Sequence, residues 1–430
     1  MPDTQTQEAG IHSSDLEAAQ HNVEAAHPGT EAAGLGVQGL DGRQSDALDG
    51  VRVRRDAGWA HDGEGPAPSL RGKGVGGENA QPGRPVEARP GRGSRTATMS
   101  MQQALNLALA EVLAEQPKSV VLGEDVGQLG GVFRVTDGLQ ARFGADRVFD
   151  TPLAESGILG MSVGMAMAGF HPIPEVQFDG FAYPAVNQII CQVARMNYRS
   201  RGALPMPITL RVPSFGGIRA PEHHGESLEA LFAHVPGLKV VSPSSPHEAY
   251  HQLKYAASLP DPVIFMEPKS RYWQKGEVVF DDGLPAAVAG AQSPNLGSRV
   301  VREGKHLTLV AWGAMVARCL QVAELAAEDG IEVEVLDLRW LKPIDAAGLA
   351  ASVGKTRRAV VVHEAPRSAG LGGEVAALIT EQCFGTLRAP VERVTGFDVP
   401  YPSGDLEDEY IPNIDRILFG IQRVLEYRRG

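Results

Sequence analysis

From residue 101 onward, short apolar runs alternate with stretches of helical periodicity, and this alternation constrains the fold more than any other feature. Residues 101–115 (MQQALNLALAEVLAE) place apolar side chains at helical spacing among strong helix formers, and Pro117 ends the run. Val120-Val121-Leu122 then reads as a short buried strand. Strands are expected at 207–212, 239–242 and 263–267, with helices at 183–198 and 247–258. A turn-rich segment at 281–299 reads as a linker. A second unit follows, with strands at 306–312, 331–336 and 359–363 and helices at 316–329 and 411–427. Strand–helix alternation of this kind implies α/β domains whose mostly parallel sheets are covered by helices on both faces. Two are expected, over 99–280 and 300–430.

The first 98 residues lack that pattern. They contain one aromatic residue, Trp59, and one isoleucine, Ile11, among runs such as Gly63-Glu64-Gly65-Pro66 and Arg89-Pro90-Gly91. Such a stretch cannot offset its ordering entropy by burial, so 1–98 is expected to be a disordered, low-complexity extension. Met99 and Met101 stand where ordered sequence should begin, which makes a start further upstream than the true one an expectation too. The extension lacks the basic start and apolar run of a secretory signal.

Composition narrows the partners. Lys+Arg number 40 against Asp+Glu 52, a net charge of −12. An acidic balance argues against nucleic acid and anionic membranes. No stretch approaches the ~20 apolar residues of a membrane span. Three scattered cysteines (Cys191, Cys319, Cys383) argue against a disulfide framework and fit a cytoplasmic setting.

The densest chemical signal lies at 147–188. Glu155 follows the loop Asp150-Thr151-Pro152 and opens a helix rich in small residues. Its residue type and place fit either a catalytic carboxylate or a first-turn acid favoured by the helix dipole. Glu222-His223-His224-Gly225-Glu226 gathers two His and two carboxylates in a loop, but lacks the i, i+4 spacing of a helical metal site. A loop His can instead serve as acid, base or donor. Gly72-Lys73-Gly74 has no strand before it, so it is no phosphate loop, and Gly370-Leu371-Gly372-Gly373 lacks the full dinucleotide fingerprint.

The ordered blocks also carry a resemblance. They include Leu122-Gly-Glu-Asp-Val-Gly127, Gly131-Val-Phe-Arg134, Asp150-Thr-Pro-Leu-Ala-Glu155 and Glu175-Val-Gln-Phe178. Pro236-Gly-Leu-Lys-Val-Val241, Val310-Ala-Trp-Gly313 and His363-Glu-Ala-Pro366 continue them. From about Met99 to Tyr427 the chain resembles the beta subunits of thiamine-diphosphate-dependent 2-oxo acid dehydrogenases. The resemblance implies a thiamine-diphosphate-binding domain of the pyrimidine type, followed by a transketolase C-terminal-like domain. It implies an α2β2 heterotetramer in which the alpha subunit holds the diphosphate and Mg²⁺ through a GDG motif. No GDG occurs in this chain, so the active site should lie between subunits.

The same resemblance assigns roles. Glu155 matches the catalytic glutamate that hydrogen-bonds the aminopyrimidine ring, Phe181 the aromatic residue that stacks on it, and Gln177 a pocket-lining position. His224, rather than His223, matches the active-site histidine used near the 2-oxo acid and in acyl transfer to lipoamide. The strand at 207–212 and the Pro260-Asp261 loop resemble a structural potassium site near Ile208, Thr209 and Asp261. The implied partners are the alpha subunit, a second beta chain, a lipoyl-bearing acyltransferase core and a small 2-oxo acid. Branched-chain substrates are favoured, with pyruvate or acetoin as runners-up. A non-catalytic assembly subunit that docks to the acyltransferase core is the alternative from another class. A self-sufficient transketolase-like enzyme is disfavoured by the missing GDG.

Overall fold

Two mostly parallel sheets dominate the computed structural model, which describes residues 95–280 and 296–428. The expected extension up to residue 94 and linker residues 281–295 lie outside the described residues. A strand stands slightly before the expected domain boundary. Thr96–Ser100 (β1) pairs antiparallel with Lys275–Val279 (β8), Met99 opposite Gly276. Met99 and Gly276 are 177 positions apart along the chain (276 − 99), beyond the reach of a local pattern.

The helix Met101–Glu115 starts where local chemistry says it should. Ser100 Oγ accepts from the Gln103 amide at 3.1 Å, and the Gln103 side chain accepts from the Ser100 amide at 3.0 Å. This reciprocal capping satisfies two otherwise orphaned donors. The helix packs against Pro246–Ser258, which has Ser245 as N-cap and Pro246 in its first turn.

The larger sheet has seven strands. They are Ser119–Gly123 (β2), Val148–Asp150 (β3), His171–Glu175 (β4), Thr209–Ser214 (β5), Lys239–Val241 (β6), Val263–Pro268 (β7) and Trp340–Lys342 (β12). Their order is β12-β6-β7-β5-β4-β2-β3, parallel except for β12. β2, β5 and β7 are buried along their whole length, as strands covered on both faces must be. The smaller sheet combines Arg299–Arg302 (β9), Leu307–Ala311 (β10), Val333–Asp337 (β11), Ala359–Pro366 (β13) and Glu392–Gly396 (β14) in the order β14-β13-β10-β11-β9. Only β9 runs antiparallel there. The helix Ile414–Glu426 closes this layer, capped by Asn413, with Ile417, Gly420, Ile421 and Val424 buried at helical spacing.

Two expectations change. The helix expected over 183–198 is broken into a 3₁₀ segment (Asp179–Ala185), one α turn (Val186–Gln188), a π segment (Ile189–Val193) and Met196–Arg199. Pro184 lies inside the first of these and cannot donate to a regular ladder. β12 belongs in sequence to the second domain, yet it edges the first domain's sheet through Trp340 opposite Val241. Trp340 is fully buried there, and its indole N–H donates to Gln252 at 2.7 Å. The two domains are therefore joined by a shared sheet edge. No described helix is long and apolar enough to cross a membrane.

Candidate active site

β3, β2 and β4 end level in the larger sheet, β5 runs on beside β4 to Ser214, and the loops beyond these carboxyl ends carry the candidate residues. β2 ends at Gly123, which stands opposite Asp150 of β3 and Glu175 of β4, and Glu175 stands opposite Arg211 of β5. Glu124 and Asp125 therefore follow β2, Thr151 to Glu155 follow β3, Val176 to Phe181 follow β4, and the His224 loop follows β5. In open α/β sheets this edge is where ligands bind.

Phe181 and His224 are brought into contact. Their rings meet edge to face with centroids 4.9 Å apart, and Phe178 completes the group at 4.6 Å from His224 and 5.4 Å from Phe181. His224 Nδ1 lies 3.0 Å from the Glu222 carbonyl oxygen. Gly180 makes the approach feasible, since a Cβ there would stand 2.1 Å from the His223 carbonyl oxygen. His223 has φ of 66° and its side chain is exposed.

Glu155 and Gln177 both neighbour Glu124, the first through its charge and the second through a hydrogen bond. Glu155 opens the helix Glu155–Met167 and is partly exposed. The Gln177 amide donates to the Glu124 carbonyl at 3.3 Å and to the Asp125 carboxylate at 3.1 Å. Burial, and then the negative charges of Glu155, Asp125 and Glu175, push the Glu124 carboxyl above its ordinary range. Glu124 Oε1 and Thr151 Oγ1 are buried without hydrogen-bond partners. Buried polar atoms are rarely left so, and these two belong to residues that directly follow β2 and β3.

Beneath the site lies a buried charge network. Arg211 reaches Glu175 at 2.5 Å and grips Glu267 bidentately at 2.7 and 2.8 Å, while the Tyr272 hydroxyl donates to Glu267 at 2.6 Å. Burial opposes the charge on Arg211, but Glu267 and Glu175 hold its guanidinium above the ordinary value. Asp179 is buried beside Lys269 Nζ at 3.2 Å and accepts from the Phe215 amide at 2.9 Å. Burial outweighs Lys269 and lifts Asp179 to about 6.

The potassium-type residues lie elsewhere. Thr209 opens β5 at the opposite edge of the sheet, the Ile208 carbonyl accepts from the Val263 amide at 2.9 Å, and Asp261 pairs with Lys239 Nζ at 2.5 Å. Among the described residues no group of three or more His, Cys, Asp or Glu is arranged to hold a metal ion.

The family follows from comparison with known proteins. Residues 97–274 match the transketolase pyrimidine binding domain and residues 297–417 the transketolase C-terminal domain. The chain is 51% identical over 334 residues to a pyruvate dehydrogenase E1 component subunit beta of Leifsonia xyli, covering 77% of this chain and 96% of that one. The chain belongs to the E1 beta subunits of 2-oxo acid dehydrogenases. A 3-methyl-2-oxobutanoate dehydrogenase subunit beta of Mycobacterium tuberculosis is 48% identical over 332 residues, covering 77% of this chain and 93% of that one. Among solved structures, a split-gene transketolase described as an inactive beta4 tetramer aligns with a TM-score of 0.61 and 26% identity, covering 77% of this chain and 99% of that one.

Sequence reasoning about this E1 beta chain missed several residues that shape the site: Glu124, Phe178, Asp179 and Lys269. Glu124 and Phe178 belong to the blocks Leu122–Gly127 and Glu175–Phe178, but nothing local marks which residues of a block turn inward. Glu229 was missed too. It is fully buried in the first turn of Glu229–His234, and its carboxylate has no hydrogen-bond partner of normal geometry. Burial, then Glu364 and Asp179, lift it to about 8 from an ordinary value of 4.5. The folded state therefore binds the Glu229 proton more tightly than the unfolded chain does. Stability falls as pH rises from about 4.5 to about 8, because the unfolded chain releases that proton while the native state still holds it. Glu229→Gln is expected to raise the melting temperature by about 2 °C or more at pH 8. The gain should vanish near pH 4.5, and an equal gain at both pH values would refute this account of Glu229.

Proposed function

We propose that this E1 beta chain forms half of a thiamine-diphosphate site and, with an alpha subunit, decarboxylates branched-chain 2-oxo acids and passes the acyl group to a lipoyl acyltransferase. The observation that carries the reading is that the loops holding Glu155, Gln177, Phe181 and His224 leave the same side of the larger sheet, with Phe181 and His224 in ring contact. The donor set fits the aminopyrimidine end of the cofactor. A partly exposed carboxylate, an aromatic ring and two unpartnered buried oxygens (Glu124 Oε1, Thr151 Oγ1) suit a flat ring that both donates and accepts. When bound, thiamine diphosphate supplies a carbon nucleophile and an electron sink. Glu155 holds a proton against a nitrogen of the aminopyrimidine ring. Phe181 offers the ring a stacking face. His224 donates toward the 2-oxo acid and the incoming lipoyl group.

An alpha subunit is supported by what this chain leaves uncovered. The helix Glu155–Met167 is apolar on nearly every side, yet Met161 and Met167 remain exposed, as do Leu153 and Phe170 beside it. A helix apolar all round belongs in an interior, and a partner chain would supply the other wall. The absent GDG motif adds the same requirement. In this reading Mg²⁺ belongs to the alpha subunit.

Assembly with a GDG-bearing alpha subunit and assay against a panel of 2-oxo acids tests the proposal. Higher kcat/KM for 3-methyl-2-oxobutanoate than for pyruvate is expected. Because one methylene is worth only ~1–3 kcal/mol, the difference should be on the order of 10- to 100-fold. Preference for pyruvate would establish the second reading, which the 51% identity to a pyruvate-type relative favours. Turnover by this chain without an alpha subunit would defeat both.

A further inference from the structure

The loop that carries His224 is bracketed by two glycines, and one ring from the C-terminal domain fills the space both leave. A Cβ on Gly216 would stand 1.6 Å from the Tyr401 hydroxyl oxygen, and one on Gly225 would stand 3.0 Å from Tyr401 Cε1. Glu407 is 1% exposed and accepts from the Tyr401 hydroxyl at 3.3 Å and from the Arg219 amide at 2.6 Å. The Arg219 guanidinium reaches Asp405 at 3.1 Å and Asp408 at 2.5 Å. Glu364, at the end of β13, accepts from the Gly216 amide at 2.9 Å. Within the loop, Phe215, Arg219 and His223 have φ of 69°, 52° and 66°. Non-glycine residues hold such conformations only where their surroundings over-determine them. Phe215 is tied to Asp179 of its own domain, whereas Arg219 is held by Glu407, Asp405 and Asp408 of the other.

We propose that Tyr401, held by Glu407, is a positioning residue that sets where the His224 ring stands over Phe181. The C-terminal domain thereby governs the placement of a residue it does not contain. The inference rests on the proposed role of His224 in turnover. Tyr401 touches the hinge glycines of the loop and acts only through it. A displacement of about 1 Å from a change outside the chemistry can cost up to about 10²-fold.

The test uses the assembled complex with its alpha subunit. Tyr401→Ala and the volume-conserving Glu407→Gln are compared with His224→Ala and with both double variants. Each single variant is expected to lower kcat by about tenfold or more. In the His224→Ala background the same changes should cost no more than about twofold, because residues acting through one another are not additive. Trypsin cleavage after Arg219, whose side chain is 58% exposed, should quicken in Tyr401→Ala and Glu407→Gln. Losses that multiply in the double variants, or unchanged turnover in both single variants, would overturn the proposal. Unchanged turnover in His224→Ala would defeat the catalytic reading of His224 separately. Cleavage after Arg219 then still decides the clamp, which fails if its rate is that of the unaltered protein.

Discussion

Glu155→Gln is expected to remove about 10²- to 10⁴-fold of the 2-oxo-acid-dependent turnover of the assembled enzyme. The change keeps shape and volume but removes the carboxylate that can share a proton with the aminopyrimidine ring. Glu155 lies in the first turn of its helix, partly exposed, so the fold does not depend on it. Losing one negative charge also eases the pressure on Glu124, whose carboxyl is lifted by burial and next by Glu155. Melting temperature and assembly with the alpha subunit should therefore stay unchanged while turnover with an artificial electron acceptor collapses. Near-normal turnover in an intact assembly would leave Glu155 with only its helix-dipole role.

Arg211→Met is expected to produce the largest loss of stability, about 3–5 kcal/mol. Arg211 and Glu267 have fully buried side chains, and that of Glu175 is nearly so, at 4%. Removing the guanidinium leaves two carboxylates facing each other across β4, β5 and β7 with no compensating charge. Lysine should not rescue the site, because a single ammonium cannot reproduce the bidentate grip on Glu267. Replacing all three charges by apolar residues of similar volume should recover much of the loss. The damage would reach the candidate active site, since Glu175 directly precedes Val176-Gln177-Phe178. Urea midpoints of the single and triple variants measure both effects, and a loss below about 1 kcal/mol for Arg211→Met would refute the argument.

Much of the larger architecture is legible in the amino-acid sequence. Apolar runs at 120–122, 263–267 and 359–363 correspond to β2, β7 and β13, because a strand buried on both faces must be written as continuous apolar sequence. Residues 183–198 read as one helix because apolar periodicity persists across Pro184, while the backbone beneath changes from 3₁₀ to α to π. Glu155, Phe181 and His224 can be nominated through resemblance, whereas the spacing of Glu155 alone leaves a helix-dipole acid equally open.

Most of the elements, the α/β class and the residue types able to carry the chemistry are written in the amino-acid order, since these follow from local periodicity and side-chain identity. Which residues meet is a property of the folded chain. Phe181 and His224 are 43 positions apart (224 − 181), and contact between them required β4 and β5 to be neighbours in the sheet. Trp340 completing the first domain's sheet, and Tyr401 wedged between Gly216 and Gly225, depend on pairings across separate domains. Local pattern holds no record of such contacts, because burial and hydrogen-bond satisfaction are set by whatever the folded chain brings alongside.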